Sequence, residues 1–405
     1  MAAALKLCKW AQQMGIEKAI NFDDLRRLAK RRLPKIAFDF IEGGVDGEDG
    51  LKQNTNAFAR QCLVPKYLVD ASAPNQSATL FGRTYASPVG IAPTGGAALF
   101  RAGADLMLAQ AARDANVPFI LSGASTATIE EVAAVAPEHT WYQLYLPRDR
   151  GIADDMVARA ERAGFSTLVL TVDVPGHVNR ERNRRNGFAR PMKPSTAAKI
   201  EALMHPSWLL EYAQSPALTV SNWVKYAPPG SSANQVLDFM ASQHPVPPTW
   251  DDVARIRQKW SRNFVIKGIM HPGDAVRAAS MGVDGLIISN HGARQLDRAP
   301  SPIEVLPAIR DAAGEKITLM LDSGLRRGSD AVTALCLGAK FVFAGRWTLY
   351  GVAAGGEAGA RHALHMIRTE IGSVMCQLGA PDVQTLGADF LMWNDASGLQ
   401  RNSRP

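Results

Sequence analysis

Short apolar runs recur eight times along the 405-residue chain, each closing on small or polar residues and each followed by an amphipathic stretch. They are Pro88–Ala92, Pro118–Ser122, Thr140–Leu144, Thr167–Val172, Phe264–Gly268, Gly285–Ser289, Ile317–Leu321 and Phe341–Gly345. Runs this short and this apolar read as strands buried on both faces. Between them, segments such as Gly103–Ala115, Asp154–Gly164, Pro272–Met281 and Gly328–Leu337 have the apolar spacing of helices. Strands alternating with helices imply parallel pairing, and eight units in about 260 residues predict an α/β protein closed as a (β/α)₈ barrel. An open doubly wound sheet is the rival, weakened by the lack of GxGxxG after the first strand.

Two regions break the repeat. Residues 1–87 precede the barrel and include a helical stretch, Phe22–Arg32, begun by the cap-like Asn21. They are expected to form a helical segment packed on a barrel that spans residues 88–380. After the fourth strand lies an insertion, about residues 176–250, with Pro206, Pro216, Pro228, Pro229, Pro245, Pro247 and Pro248 set among Trp208, Trp223 and Trp250. A connection of this length without regular pattern is usually functional or mobile. Residues 381–405 form a tail, expected to fray from Ser397 onward.

Composition narrows the class. With 46% hydrophobic and 20% charged residues, the chain resembles an ordinary globular protein rather than a disordered one. The net charge of +7 is uneven. Arg180, Arg182, Arg184, Arg185, Arg190, Lys193 and Lys199 face only Glu181 within one segment. That pattern suggests one local basic site and argues against a nucleic-acid-coating surface. Four scattered cysteines, with no CxxC pair, point to a reducing compartment and to neither a metal centre nor thiol chemistry. No apolar run approaches the ~18 residues of a transmembrane helix, and the start, MAAALKLCKWAQQ, is a poor signal peptide. A cytoplasmic protein, at most peripheral on the inner face of a membrane, is expected.

In such barrels the chemistry collects at the C-terminal ends of the strands. Those ends supply Pro93-Thr94-Gly95, Ser122, Gln143 with Tyr145, Thr171 with Asp173, Lys267, Ser289-Asn290-His291 with Arg294, Asp322-Ser323-Gly324 with Arg326, and Gly345-Arg346. The sharpest signal is SNHGARQLD (Ser289–Asp297). One loop there offers a His, suited to take a proton near neutrality, and an Arg able to grip a carboxylate. With TVDVP (Thr171–Pro175), YQLY (Tyr142–Tyr145) and DSGLRRG (Asp322–Gly328), the chain resembles, from about Phe22 to Gly379, the FMN-dependent α-hydroxy-acid oxidases and dehydrogenases. Glycolate oxidase, L-lactate dehydrogenase and mandelate dehydrogenase belong to that family.

The resemblance implies that His291 takes the substrate hydroxyl or Cα proton and that Asp173 orients and stabilises its imidazolium. Arg294 and Arg180 would hold the substrate carboxylate, and Tyr145 would hydrogen-bond the reacting oxygen. Lys267 would face the flavin pyrimidine. Pro93, Thr94, Gly95, Ser122, Gln143, Thr171 and Ser289 would line the flavin ring and ribityl chain. Asp322, Ser323, Gly324, Arg326, Gly345 and Arg346 would meet the ribityl and phosphate groups. It also implies a homo-oligomer, a tetramer, with electrons passing from FMN to a quinone or another acceptor.

Several positions depart from glycolate oxidase. Phe40 stands where that enzyme has a carboxylate-binding Tyr, a loss worth ~1.5–3 kcal/mol if the bond is made. Ala124 stands where it has a Trp lining the pocket, which argues for a lactate, mandelate or longer side chain. Gly95 replaces its Ala, and Asn183 replaces an acidic residue common in the Arg-rich segment. The HPSW run (His205–Trp208) resembles the longer loops of membrane-associated lactate and mandelate dehydrogenases. Trp208, Leu209, Leu210 and Tyr212 beside Lys193 and Lys199 would then lie at a membrane or cover a neighbouring subunit. The alternatives are an oxygen-using oxidase releasing hydrogen peroxide, a related FMN enzyme acting on a peptide-derived substrate, and a flavin-free barrel lyase or isomerase.

Overall fold

The computed structural model describes residues 15–188, 194–395 and 398–401, so Arg190 and Lys193 of the basic segment lie outside the described residues. Three short strands come first: β1 (Gln61–Leu63), β2 (Ala78–Leu80) and β3 (Arg83–Tyr85). The barrel follows as β4 (Val89–Ile91), β5 (Phe119–Leu121), β6 (Thr140–Tyr145), β7 (Thr167–Thr171), β8 (Asn263–Ile269), β9 (Gly285–Ile288), β10 (Thr318–Leu321) and β11 (Phe341–Ala344). Neighbours pair in parallel, and β11 pairs with β4 (Val342 opposite Val89) to close the ring. Each predicted apolar run holds one of these strands. They are largely apolar because a parallel strand flanked by helices is buried on both faces, with polar residues such as Gln143, Thr171 and Lys267 towards their C-terminal ends.

The barrel interior is filled by Trp141, Val169, Val265, Ile287, Met320, Phe341 and Phe343, all buried. The β2–β3 hairpin packs against this core, with the Phe81 ring 5.7 Å from that of Trp141. At the other end, β8 slips register against β9 between Lys267 and Ile269. Gly268 sits there at φ 108°, and a Cβ on it would strike Cβ of Asp173 at 2.6 Å.

The segment before the barrel contains more than helix. Its helices α1 (Phe22–Arg32), α2 (Lys35–Glu42) and α3 (Asp49–Ala59) are accompanied by β1 and the hairpin. α1 starts as the sequence suggests, with Asn21 Oδ1 accepting from the Asp24 amide at 2.9 Å. The tail is also more ordered than expected. β12 (Leu391–Asp395) pairs with β1, and β13 (Gly398–Arg401) extends that sheet, because strand partners 330 residues away give no local signal.

The insertion, read as lacking regular pattern, is largely helical: Glu181–Arg185, Thr196–Ala202, Pro206–Gln214 and Ala233–Gln243. Its prolines sit at helix starts and in the turns between, where a missing N–H costs nothing. Trp208 does not face outward. It is buried, its indole N–H donates to Leu99 O at 2.8 Å, and its ring stacks on Tyr212 at 4.9 Å. A buried indole needs such an acceptor, and only the barrel side supplies one. Large apolar side chains left exposed on the two middle helices and the turn between them are Ile200, Leu203, Met204, Leu210 and Tyr212.

Candidate active site

The loop after β9 carries His291, Gly292 and Ala293 at φ 59°, 65° and 58°, three consecutive left-handed residues of which only one is glycine. Such backbone is disfavoured for residues with a Cβ, by roughly 1–2 kcal/mol each, and persists only where the surroundings hold it. Ser289 Oγ accepts from the His291 amide (3.0 Å) and Ser323 Oγ from the Gly292 amide (2.9 Å). Ala293 O accepts from the Val45 amide (3.1 Å).

This loop brings His291 Nδ1 to 2.8 Å from Asp173 Oδ1, across from the end of β7. A carboxylate can only accept, so Nδ1 carries the proton and Nε2 keeps a lone pair. Nε2 is 3.4 Å from the Tyr145 hydroxyl. Burial pulls the His291 pKa below its ordinary value, with Lys267 and Arg180 adding to the shift against the opposing pull of Asp173. For Asp173, burial raises the pKa, but His291 and Lys267 outweigh it and hold the carboxyl low. Lys267 Nζ lies 3.2 Å from Asp322 and 2.8 Å from Ser289 Oγ, and although burial lowers its pKa, Asp322 and Asp173 raise it by more and keep it protonated.

Arginines gather on the opposite side. Arg294 Nη1 donates to the carbonyls of Phe40 and Gly43, at 2.8 Å each, at the end of α2. Its guanidinium lies 5.0 Å from the centre of the Phe40 ring. Arg180 Nε donates to Arg294 O at 3.3 Å. Burial, with Arg180 and Arg346 beside it, pushes the Arg294 pKa well down. Arg180 is lowered in the same way, by burial and by Arg346. Positive groups that destabilise one another make a place where an anion is favoured. Phe40, expected in the pocket, packs between Phe188 (4.9 Å) and Phe100 (5.9 Å). Phe188 was not foreseen, since a lone aromatic after an Arg-rich run carries no signal. Neither was His244, whose ring sits between those of Tyr145 (6.0 Å) and Trp223 (5.3 Å), and whose pKa burial lowers to about 4.

The remaining strand ends surround the same space. Gln143 Oε1 accepts from Ser122 Oγ (3.2 Å) and the Gly123 amide (3.1 Å), which fixes the amide and leaves Nε2 buried without a partner. Thr171 Oγ1 is likewise buried and unpartnered. Pro93, Thr94 and Gly95 are half-buried after β4, beside Gly345 after β11. A Cβ on Gly95 would come within 3.0 Å of Ala124 Cβ, so two small residues meet where bulk would fill the space. Ser323, at φ 74°, bridges Asp322 and the Gly292 amide. Gly324, at φ 90°, leaves no room for a Cβ, which would lie 2.5 Å from Asn54 O. Arg326 and Arg346 line a cavity of about 290 Å³ with Arg26, Arg327, Glu42 and Tyr350. Neither is idle there. Arg346 donates to the carbonyls of Ile41, Gly43 and Gly292, and Arg326 lies 4.6 Å over the Phe22 ring. Burial and Arg346 lower the pKa of Arg326 to about 10.

Residues 29–393 match the family model described as FMN-dependent dehydrogenase. The chain belongs to that family. It is 39% identical over 376 residues to the (S)-mandelate dehydrogenase of Pseudomonas putida, covering 93% of this chain and 94% of that one. It is 38% identical to the L-lactate dehydrogenase of Caulobacter vibrioides, covering 91% and 96%. Among solved structures, that of the monotopic membrane protein (S)-mandelate dehydrogenase superposes with a TM-score of 0.89 at 38% identity, over 92% of this chain and 99% of that one. The chain is therefore an FMN-dependent oxidoreductase acting on the CH–OH group of 2-hydroxy acids, and the flavin-free alternative is set aside. The residues present suit FMN. Gln143 Nε2 and Thr171 Oγ1 are unpaired groups that flavin heteroatoms would satisfy, Lys267 is a fixed cation, and the arginine-lined cavity suits a phosphate dianion.

Proposed function

We propose that this enzyme oxidises L-2-hydroxy acids with aromatic or longer aliphatic side chains to 2-oxo acids, with His291 as the base. The observation that carries the reading is the His291–Asp173 pair at 2.8 Å, with its free Nε2 facing Tyr145, next to an arginine pair that repel each other. Among the described residues, Nε and Nη2 of Arg294 have no protein partner, and together they form the two-point edge that a carboxylate fits. Arg180 neutralises the same carboxylate. Tyr145 donates to the reacting oxygen, its phenol kept protonated because burial, and then Asp173, raise its pKa. His291 Nε2 takes the proton, and Asp173 stabilises the imidazolium that results. FMN, when bound, would accept the two electrons together with the substrate hydrogen, of the Cα and hydroxyl pair, that His291 does not take. Gln143, Thr171 and Lys267 would hold its ring, and Asp322, Ser323, Gly324, Arg326, Gly345 and Arg346 would hold its ribityl phosphate.

The side-chain preference rests on the small side chain of Ala124 beside Gly95 and on the aromatic faces of Phe40 and Phe188. Each buried CH₂ of substrate contributes ~0.8 kcal/mol. The electron acceptor is a quinone in a membrane on which the insertion rests. Exposed Ile200, Leu203, Met204 and Leu210 support this, as does the membrane placement that its mandelate dehydrogenase relative bears in its description. An anaerobic panel of glycolate, lactate, mandelate and longer 2-hydroxy acids, read by flavin bleaching, tests the substrate class. Mandelate and longer acids should bleach fastest, and glycolate as the best substrate would refute the reading. Adding a soluble quinone analogue or air afterwards separates dehydrogenase from oxidase, and faster reoxidation by air would overturn the quinone.

A further inference from the structure

Beneath the histidine loop lies a buried pair that the proposed chemistry does not use. Asn54 on α3 and Asn290, next to His291, are 2% and 5% exposed and bond reciprocally. Asn54 Nδ2 donates to Asn290 Oδ1 at 2.9 Å, and Asn290 Nδ2 donates to Asn54 Oδ1 at 2.6 Å. Asn290 Oδ1 also accepts from the Ala293 amide (3.1 Å), and Asn290 Nδ2 reaches Pro300 O (3.1 Å). The Asn290 amide thus spans the left-handed turn from 290 to 293, and Asn54 is the side chain that fixes which way this amide faces. If it flipped, an NH₂ group would meet the Ala293 N–H, and a buried donor would lose its acceptor, at ~1–3 kcal/mol.

The same helix meets the turn elsewhere. A Cβ on Gly50 would lie 2.6 Å from Asp297 O and 3.0 Å from Ala293 Cβ, and the Gly50 amide donates to Asp297 Oδ1 at 2.9 Å. The Asn54 carbonyl is what excludes a Cβ from Gly324. One residue therefore touches both the base loop and the turn after β10.

We propose that Asn54 is a positioning residue for His291, acting through Asn290 to set the loop that aims Nε2. The inference rests on His291 being the base. A displaced base slows proton removal while leaving carboxylate binding to Arg180 and Arg294, so the loss should fall on kcat. A misplacement of about 1 Å can cost ~10²-fold in rate.

The test uses FMN-loaded full-length protein. Asn54→Ala should retain FMN and lower the anaerobic flavin-reduction rate at least tenfold, with KM within about threefold of the parent. Asn54→Asp keeps size and acceptor but loses the donor, and should show the same split even if the alanine variant folds poorly. The primary isotope effect with substrate deuterated at Cα should be at least as large as in the parent. Placing Asn54→Ala on top of Asn290→Ala should add little, as expected when one residue acts through the other. Near-parental reduction in both Asn54 variants would overturn the proposal. So would a loss confined to melting temperature or FMN content, or full additivity with Asn290→Ala. His291→Gln, made in parallel, separates the two claims: if it too reduces flavin normally, the base assignment fails first.

Discussion

His291 must be neutral to accept a proton, and its surroundings favour the neutral form. The folded pKa lies below the ordinary value, so kcat/KM should stay level as pH falls through the usual histidine range and drop only below it. Asp173 pulls that pKa up, by its charge and by its hydrogen bond. Asp173→Asn should therefore shift the acid limb lower still while reducing the rate. An acid limb that moves upward would contradict the pairing. His291→Gln should lose ~10²–10⁴-fold in flavin reduction while keeping its flavin. Arg294→Lys should do far worse than charge conservation suggests, because an ammonium cannot hold the Phe40 and Gly43 carbonyls and a carboxylate in one plane. The loss should appear in both KM and kcat, and unchanged kinetics across a hydroxy-acid panel would remove Arg294 from the clamp. Ala124→Trp should favour glycolate over mandelate, since Ala124 already meets the space beside Gly95. An unaltered preference would place the side-chain pocket elsewhere.

The helices of the insertion divide their apolar residues between two jobs. Trp208 and Trp223 turn inward, the latter donating to Gly123 O at 3.0 Å, and Glu211 ties the same stretch to Arg101 (2.9 Å) and Arg32 (2.5 Å). Ile200, Leu203 and Met204 turn outward. Removing one such side chain from a membrane forfeits ~1.5–3 kcal/mol, about tenfold or more in binding. Leu203→Glu with Met204→Glu should thus reduce sedimentation with anionic vesicles strongly while leaving mandelate oxidation with a soluble acceptor unchanged. Equal sedimentation of variant and parent would exclude this face. Sequence showed that the insertion was aromatic and basic, but not which ring faced which way. That choice turns on the Leu99 carbonyl, 109 residues from Trp208. By contrast, strand periodicity and the Asn21 cap are local, and both were legible.

In the whole molecule, the residues proposed to hold FMN come from nearly every barrel strand, so FMN should bind the folded state alone. Ligand at 100 times its Kd adds ~2.7 kcal/mol. Extracting the flavin should lower the melting temperature by several degrees, and added FMN should restore it in a concentration-dependent way; a melting point indifferent to FMN would deny the link. That His291, Asp173, Tyr145 and Lys267 would meet was readable because each lies at or near the C-terminal end of a barrel strand, and such ends share one face of the barrel. What stayed hidden were long-range partners, as with Asn54 and Asn290, or Phe40 and Phe188, which no periodicity encodes.

The ring closes by joining β11 to β4, its last strand to its first. Synthesis runs in the other direction of dependence: Asn54 and Gly50 of α3 are made early, yet the loop they touch comes some 240 residues later, and Gly345-Arg346 later again. If Gly345 and Arg346 hold the flavin as proposed, a nascent chain has no complete cradle until its final barrel strand has emerged. On that reading redox capability arrives with ring closure, and a chain that stops short of Phe341–Ala344 can neither close the barrel nor hold the flavin.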